Sequence, residues 1–223
     1  GVETDLILLP EMFQTGFSMN VDALKENFEQ SSSIQWLKEL ASEKNAAIYT
    51  SLIIEENGNI YNRGVFVKSD GSISCYDKRK AFGLAGEDQF FTTGQSETIV
   101  NYLGWNLQLQ ICYDLRFPEI VRNRILPNQS AAYDVILYVA NWPSKRASHW
   151  NMLLNARAIE NQCFVLGVNR VGTDNKNHHY SGDSKLVSPL GEELKLTKDK
   201  ENSKTVVLEA SVLKGIREML PFL

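Results

Sequence analysis

The 223-residue chain is 43% hydrophobic and 22% charged, the balance of an ordinary folded domain, which excludes disordered, collagen-like and coiled-coil classes. Its 23 Lys and Arg against 27 Asp and Glu leave a formal net charge of −4, and no basic cluster exceeds Lys78-Arg79-Lys80, so no nucleic-acid partner is expected. The longest apolar stretches, residues 6–10 and 135–140, are far shorter than the roughly 18 residues of a membrane span, so no membrane partner is expected either. The three cysteines, Cys75, Cys112 and Cys163, cannot all pair within one chain, and so sparse a set fits a reduced, cytoplasmic setting.

Read in chain order, short aliphatic or β-branched runs predict strands over residues 5–9, 47–54, 64–68, 134–140 and 163–168. Residues 106–111 alternate polar and apolar, the period of a strand with two unlike faces. Ser31-Ser32-Ser33 is a capping stretch for a helix over 34–44 that sets Trp36, Leu37, Leu40 and Ala41 on one face. A second helix is expected over 146–162, with Trp150, Leu153, Leu154 and Ala158 as its stripe. Asn57-Gly58-Asn59 marks a hairpin, so the sheet is expected to be mixed. Without a repeat or linker, the chain reads as one α/β domain over 1–223.

Reactive side chains gather immediately after strand-like runs: Glu11 after 6–10, Lys78 after 72–76, Cys112 after 107–111 and Asn141 after 135–140. Ligand sites of open α/β sheets collect outside the carboxyl ends of strands. A single charged residue at such a place is most often a solvated loop residue, so it is the set that points to a site. Cys112 lies where a strand turns sharply into polar sequence, a position that exposes a nucleophile, whereas Cys75 and Cys163 read as small buried hydrophobes. A thiol near neutral pH is mostly protonated and needs a base or a nearby cation, which a carboxylate and a lysine supply.

Leu9-Pro10-Glu11-Met12-Phe13, Tyr76-Asp77-Lys78-Arg79 and Cys112-Tyr113-Asp114-Leu115-Arg116-Phe117-Pro118-Glu119 resemble the three signature blocks of the nitrilase superfamily of carbon-nitrogen hydrolases. The resemblance extends through Tyr138-Val139-Ala140-Asn141-Trp142-Pro143, residues 156–162 and 167–172, and Tyr180-Ser181-Gly182-Asp183-Ser184. Residues 12–19 with Ala140-Asn141-Trp142-Pro143 resemble the bacterial omega-amidase branch, which hydrolyses 2-oxoglutaramate and related omega-amides.

That resemblance implies an α-β-β-α sandwich of two mixed sheets with outer helices, and a homodimer or larger homo-oligomer. It implies Cys112 as nucleophile, Glu11 as general base, Lys78 as the cation that stabilises a tetrahedral intermediate, and Glu87 as a second glutamate beside them. The backbone N–H of Tyr113 is its oxyanion donor. Asp88 is the neighbour with which Glu87 is most easily confused. For the distal carboxylate of a small amide substrate the candidates are Arg116, Arg146 and Arg170, with Trp142 in the pocket lining, although Arg116 also has Asp114 and Glu119 within reach in sequence. No cofactor is expected, and no metal, because His149, His178 and His179 have no acid or cysteine cluster at ligand spacing.

Alternatives stay open at this point: an N-carbamoyl amino acid hydrolase or nitrilase of the same superfamily, a Cys and His hydrolase using His149 or His179, or a non-catalytic binding protein. Relatives place a strand and a long helix ahead of Leu9-Pro10-Glu11, so those elements are expected to be missing from this chain. Lys80-Ala81 also departs from the His-Leu of the omega-amidase branch.

Overall fold

The apolar run that opens the chain pairs as β1 (Leu6–Leu8), parallel to a longer strand, and delivers Pro10 and Glu11 to that strand's flank. The computed structural model describes residues 3–194, 197–200 and 203–223, and contacts within the chain gather into two compact units. One comprises the chain up to Thr98 with Gln110–Asp114 and Val139–Asn141; the other comprises Ile99–Leu109, Leu115–Tyr138 and the chain from Trp142 onward.

In the first unit β1 is followed by α1 (Val21–Leu24), β2 (Glu26–Asn27), α2 (Ser32–Lys44), β3 (Ala47–Glu56), β4 (Asn59–Val67), β5 (Ile73–Asp77) and α3 (Glu87–Phe90). The sheet order is β1-β3-β4-β5, with β2 also on β3; β1 and β2 run parallel to β3, and β4 and β5 antiparallel to their neighbours. The expected hairpin forms between β3 and β4, with Asn57 and Gly58 both at positive φ (51° and 77°), the twist that a two-residue turn needs to match its strands. β4 starts at Asn59, five residues before the expected strand, because that turn continues the pairing out to Glu56 and Asn59.

Ser31 caps α2 by accepting the Ile34 N–H at 3.0 Å, and Asn45 ends it in the left-handed conformation. Ile34, Leu37 and Ala41 pack on Ile48, Leu52, Ile54, Val65 and Val67, each fully buried Leu or Ile contributing roughly 1.5–3 kcal/mol. Trp36, expected on this face, is 45% exposed and stacks on Phe13 at 5.6 Å instead, since the row 34-37-41 leaves position 36 at the rim.

The other face of the same sheet is polar. Tyr49, Ser51 and Ile53 alternate with the apolar row, Asn62 stands opposite Ile53, and Gly64 stands opposite both Ser51 and Tyr76. Gly64 is needed there: a Cβ would meet the Tyr49 hydroxyl at 2.8 Å. A backbone bond from Lys78 N to Asn62 O at 3.0 Å carries this arrangement one residue beyond β5.

The second unit contains β6 (Ile99–Tyr102), β7 (Trp105–Ile111), β8 (Val135–Ala140), α4 (Ala147–Asn161), β9 (Phe164–Asn169), β10 (Val171–Thr173), β11 (His179–Ser181), β12 (Lys185–Val187), β13 (Glu193–Leu194), β14 (Thr197–Lys200), β15 (Ser203–Thr205) and α5 (Ala210–Met219). Its main sheet has the order β13-β12-β9-β8-β7-β6, and β10-β11 and β14-β15 form two small hairpins. The last residues of β7 and β8 count with the first unit, which is where Cys112 and Asn141 therefore lie. α4 buries Trp150, Leu154 and Ala158 and approaches β9 so closely that a Cβ on Gly167 would meet Leu154 at 2.7 Å. The alternation in β7 is real, and its polar positions Gln108 and Gln110 are as buried as Leu109 and Ile111, so the two unlike faces are both covered. The chain is thus α/β with mixed strand directions, and no helix among the described residues is long and apolar enough to cross a membrane.

Gly94 donates its N–H to Lys78 O at 2.9 Å, and a Cβ there would lie 2.1 Å from Asp77 O, a backbone atom that cannot step aside alone. Gly94→Ala is expected to destabilise the protein by about 1–3 kcal/mol in urea unfolding, the range of an overpacked site, and to displace the strand end that carries Lys78.

Candidate active site

Each of the reactive residues is held by a separate device in the backbone. The segment around Glu11 is pinned from both sides by β3: the Thr50 hydroxyl donates to Pro10 O at 2.8 Å, and Met12 N donates to Ser51 Oγ at 3.1 Å. Lys78 follows β5 directly, on the polar face described above, and Glu87 opens α3. Cys112 follows β7 directly and starts a 3₁₀ turn, Cys112–Arg116, with a left-handed φ of 43°. That conformation is strained for a residue with a side chain, at a cost on the order of 1–3 kcal/mol, and it is met where a fold overdetermines it.

Asp114 supplies that constraint. Its carboxylate accepts from Ile111 N at 3.1 Å, from Lys80 N at 2.9 Å and from the Tyr76 hydroxyl at 2.9 Å, so it bridges across Cys112 and ties the turn to the residues after Lys78. Burial pushes the Asp114 carboxyl up to about 7, against the opposing pull of Lys78 and these three donors. Tyr49 supports the same strand end by donating to Gln110 O at 3.1 Å.

The side chains converge on one buried ammonium. Lys78 is 3% exposed, Glu11 1% and Glu87 fully buried. Lys78 Nζ donates to Glu11 Oε1 at 2.9 Å and to Glu87 Oε1 and Oε2 at 3.0 and 2.9 Å, which commits its three N–H bonds. Burial by itself would lower the lysine, but the charges of Glu11 and Glu87 outweigh it and hold the ammonium above its usual range. The Phe17 ring lies 5.5 Å from Nζ and closes one side.

The two glutamates differ in what remains open on them. Glu87 Oε1 accepts from Lys78 and Asn62, and its Oε2 accepts from Lys78 and from Phe82 N at 2.6 Å, so both oxygens are fully used. Glu11 Oε1 accepts from Lys78 and Asn62, whereas its Oε2 takes the Asn141 backbone N–H at 2.9 Å and retains an acceptor site. Asn141 also donates from its side chain to Glu11 O at 2.5 Å. Asp88, Glu87's neighbour, is exposed.

The Cys112 thiol is buried beside Glu11 and Lys78, and it is pushed up by burial first, then by the Glu11 charge, with Lys78 opposing. The arrangement therefore has a neutral thiol at rest, a carboxylate placed to take its proton, and a cation beside both. This is the equipment for nucleophilic attack on a carbonyl carbon. Cys163 is buried as expected, while Cys75 is only half-buried because it lies on β5, at the end of the sheet order.

Tyr113 follows Cys112 in the 3₁₀ turn, its ring 5.0 Å from that of Phe82. The other expected binding residues belong to the second unit. There the Arg116 guanidinium lies 4.8 Å over the Trp142 ring and 3.1 Å from His149 Nδ1. Trp142 is buried against Trp150 and is fixed by bonds from its N to Asn169 Oδ1 at 2.7 Å and from its Nε1 to Arg146 O at 2.8 Å. Arg146 thus meets Trp142 through its carbonyl, and Arg170 lies 5.0 Å over Tyr180. His179 pairs with Thr173 on the β10-β11 hairpin. Among the described residues no group of three or more His, Cys, Asp or Glu has the arrangement of a metal site.

Asn62 and Asn141 complete the cluster. Asn141 was visible in the sequence as a residue following a strand. Asn62 was not, because the expected strand began at residue 64; its one signal is an amide set two residues before Gly64 on the alternating row.

The model of the carbon-nitrogen hydrolase family matches residues 2–219. Omega-amidase YafV of Escherichia coli K12 is 40% identical over 219 residues, covering 97% of this chain and 82% of that protein. The 2-oxoglutaramate amidase of Bacillus subtilis is 31% identical over 220 residues, covering 97% and 83%. Among solved structures, XC1258 of Xanthomonas campestris, a CN-hydrolase superfamily protein with an arsenic adduct in its active site, superposes with a TM-score of 0.93 at 36% identity over 98% of this chain and 83% of its own. The chain belongs to the carbon-nitrogen hydrolase family of the nitrilase superfamily and is a hydrolase of carbon–nitrogen bonds other than peptide bonds.

Proposed function

We propose that this enzyme hydrolyses the omega-amide of a small dicarboxylic acid monoamide, of the 2-oxoglutaramate or succinamate type, to the carboxylate and ammonia. The observation that carries the chemistry is the buried Glu11–Lys78 pair with the Cys112 thiol against the carboxylate. The substrate class is supported by relatives named omega-amidase and 2-oxoglutaramate amidase at 40% and 31% identity.

Glu11 takes the thiol proton as Cys112 Sγ bonds to the amide carbon, and the carbonyl π pair moves onto oxygen. The Lys78 ammonium and the Tyr113 N–H offset that charge in a site shielded from water. Protonated Glu11 then gives its proton to the departing nitrogen, ammonia leaves, and a thioester remains on Cys112. Water attacks the thioester with Glu11 again as base, the acid is released, and the proton returns to sulfur. Glu87, whose oxygens are all engaged, takes no proton in this scheme; it holds Lys78. Arg116, Arg146 and Arg170 remain the proposed partners of the distal carboxylate, with Trp142 lining the pocket. The reading includes a cytoplasmic homodimer or larger homo-oligomer, which light scattering tests.

Three outcomes are expected. Ammonia release from a panel of 2-oxoglutaramate, succinamate, a carbamoyl amino acid and a simple nitrile should favour the first two; preference for either of the others would keep the mechanism and overturn the substrate. Glu11→Gln should lower kcat by about two to four powers of ten, the worth of a general base, whereas an enzyme using His149 or His179 as base would keep its rate. Lys78→Ala should cost about two to three powers of ten in kcat; because Lys78 opposes the rise of the thiol, it should also slow alkylation of Cys112 by iodoacetamide at pH 8.

A further inference from the structure

The Asn62 side chain has no assigned part in the chemistry above, yet it touches both carboxylates that hold Lys78. Its Nδ2 donates to Glu11 Oε1 at 2.8 Å and to Glu87 Oε1 at 3.0 Å, and the residue is 1% exposed. Its Oδ1 is buried without a hydrogen-bond partner. An unpaired buried acceptor costs stability, so the amide is not there as a well-satisfied core residue. What it contributes is its donor end. The orientation is forced, because a flipped amide would set Oδ1 against two carboxylates.

The charge balance explains why a neutral donor suits this place. One ammonium serves two carboxylates, and the two Oε1 atoms facing Asn62 both also face Lys78. A second cation would bind Glu11 too firmly as carboxylate to let it act as a base, and an acceptor would drive the two glutamates apart. A neutral N–H shared between them does neither. It saturates Glu11 Oε1, which leaves Oε2, with its single bond from Asn141 N, as the oxygen able to receive the thiol proton. We propose that Asn62 is a positioning residue that locks Glu11 and Glu87 together on Lys78 and so reserves Glu11 Oε2 for Cys112. This rests on the reading of Glu11 and Cys112 as base and nucleophile.

The charged and titratable groups around the Glu11 and Cys112 pair are Lys78 after β5, Glu87 on α3, Tyr49 on β3 and, two residues beyond Cys112, Asp114, which faces Lys78 and Tyr49 and is pushed up to about 7 by burial. Of these, only Lys78 favours the charged form of Glu11; Asn62 and the Asn141 amide are the neutral groups that do so. Removing a donor from a carboxylate favours its protonated form, so loss of Asn62 should move the acid limb of the rate profile, where the Cys112 and Glu11 pair gives up its first proton, to higher pH.

The test compares wild type with Asn62→Asp, Asn62→Ala and Asn62→Ser. Two profiles are measured against pH: kcat and KM on succinamate, and the second-order rate of Cys112 alkylation by iodoacetamide, which needs no knowledge of the substrate. Asn62→Asp, isosteric but placing an acceptor against two carboxylates, should lower kcat by about ten- to a hundredfold, the worth of a hydrogen bond to a charged group, with KM nearly unchanged. Its acid limb should move upward in both profiles. Asn62→Ala should shift the limb the same way by less, and Asn62→Ser, which keeps a donor, should lie between Asn62→Ala and wild type. If Asn62→Asp does not fold, the order of the Ala and Ser variants decides. Folded variants whose acid limb stays at the wild-type pH, whatever their stability or KM, would overturn the proposal and leave Asn62 a packing residue. Were no amide in the panel turned over, the alkylation profile would still decide the role of Asn62 by itself.

Discussion

An ammonium sealed from water is the constraint on which this site depends. Lys78 sits almost wholly buried with Glu11 and Glu87 on it, and taking an ion from water costs several kcal/mol unless partners with good geometry repay it. Three donors meeting three carboxylate oxygens supply that geometry. The consequence reaches beyond the ion pair, because a charge so placed cannot wander: it dictates where each glutamate sits, and so fixes the Glu11 carboxylate beside the Cys112 thiol. Removing one partner would leave a buried charge uncompensated, which is why the cluster behaves as a unit.

The scaffold is built to keep that cluster still. The sheet of the first unit has one apolar face, filled by α2, and one polar face, where Tyr49, Ser51 and Asn62 line up with the residue opposite Gly64. Strands packed on one side can carry polar groups on the other only if those groups find partners. Here nearly all do: Ser51 accepts from Met12 N, Tyr49 donates to Gln110 O and Asn62 Nδ2 donates to both glutamates, with Asn62 Oδ1 the exception. The bonds that place Glu11, Glu87 and Lys78 are largely the bonds that satisfy these buried polar groups. Asp114 extends the logic to Cys112, since three donors on its carboxylate maintain a turn whose left-handed residue would otherwise relax.

Much of this was legible in sequence because strands are short and end abruptly. Glu11 follows an aliphatic run, Lys78 the strand-like residues 72–76 and Cys112 an alternating run, so their collection at strand ends could be argued before any geometry. The boundary of β4 was read five residues late, and that cost Asn62: a polar residue inside a buried strand leaves no trace in an apolar pattern. Trp36 was misplaced for the complementary reason, since hydrophobicity alone does not tell the centre of a helix face from its rim. The alternation of β7 marks two unlike faces and both are buried, because alternation reports the chemistry of a face and not what covers it.

By itself the sequence determined the class of the fold, the positions of the strand ends and the types of side chain available there, because these follow from local periodicity and from motifs contiguous along the chain. Only the tertiary structure decided that Glu87 and not Asp88 reaches Lys78, that one glutamate has every acceptor engaged while the other keeps one open, and that Asn62 spans them. Those distinctions depend on which face of a strand or turn a residue occupies and on hydrogen bonds between residues up to 130 positions apart, as from Asn141 to Glu11. No local pattern encodes such pairings; they arise when the strands register and the buried charge selects its partners.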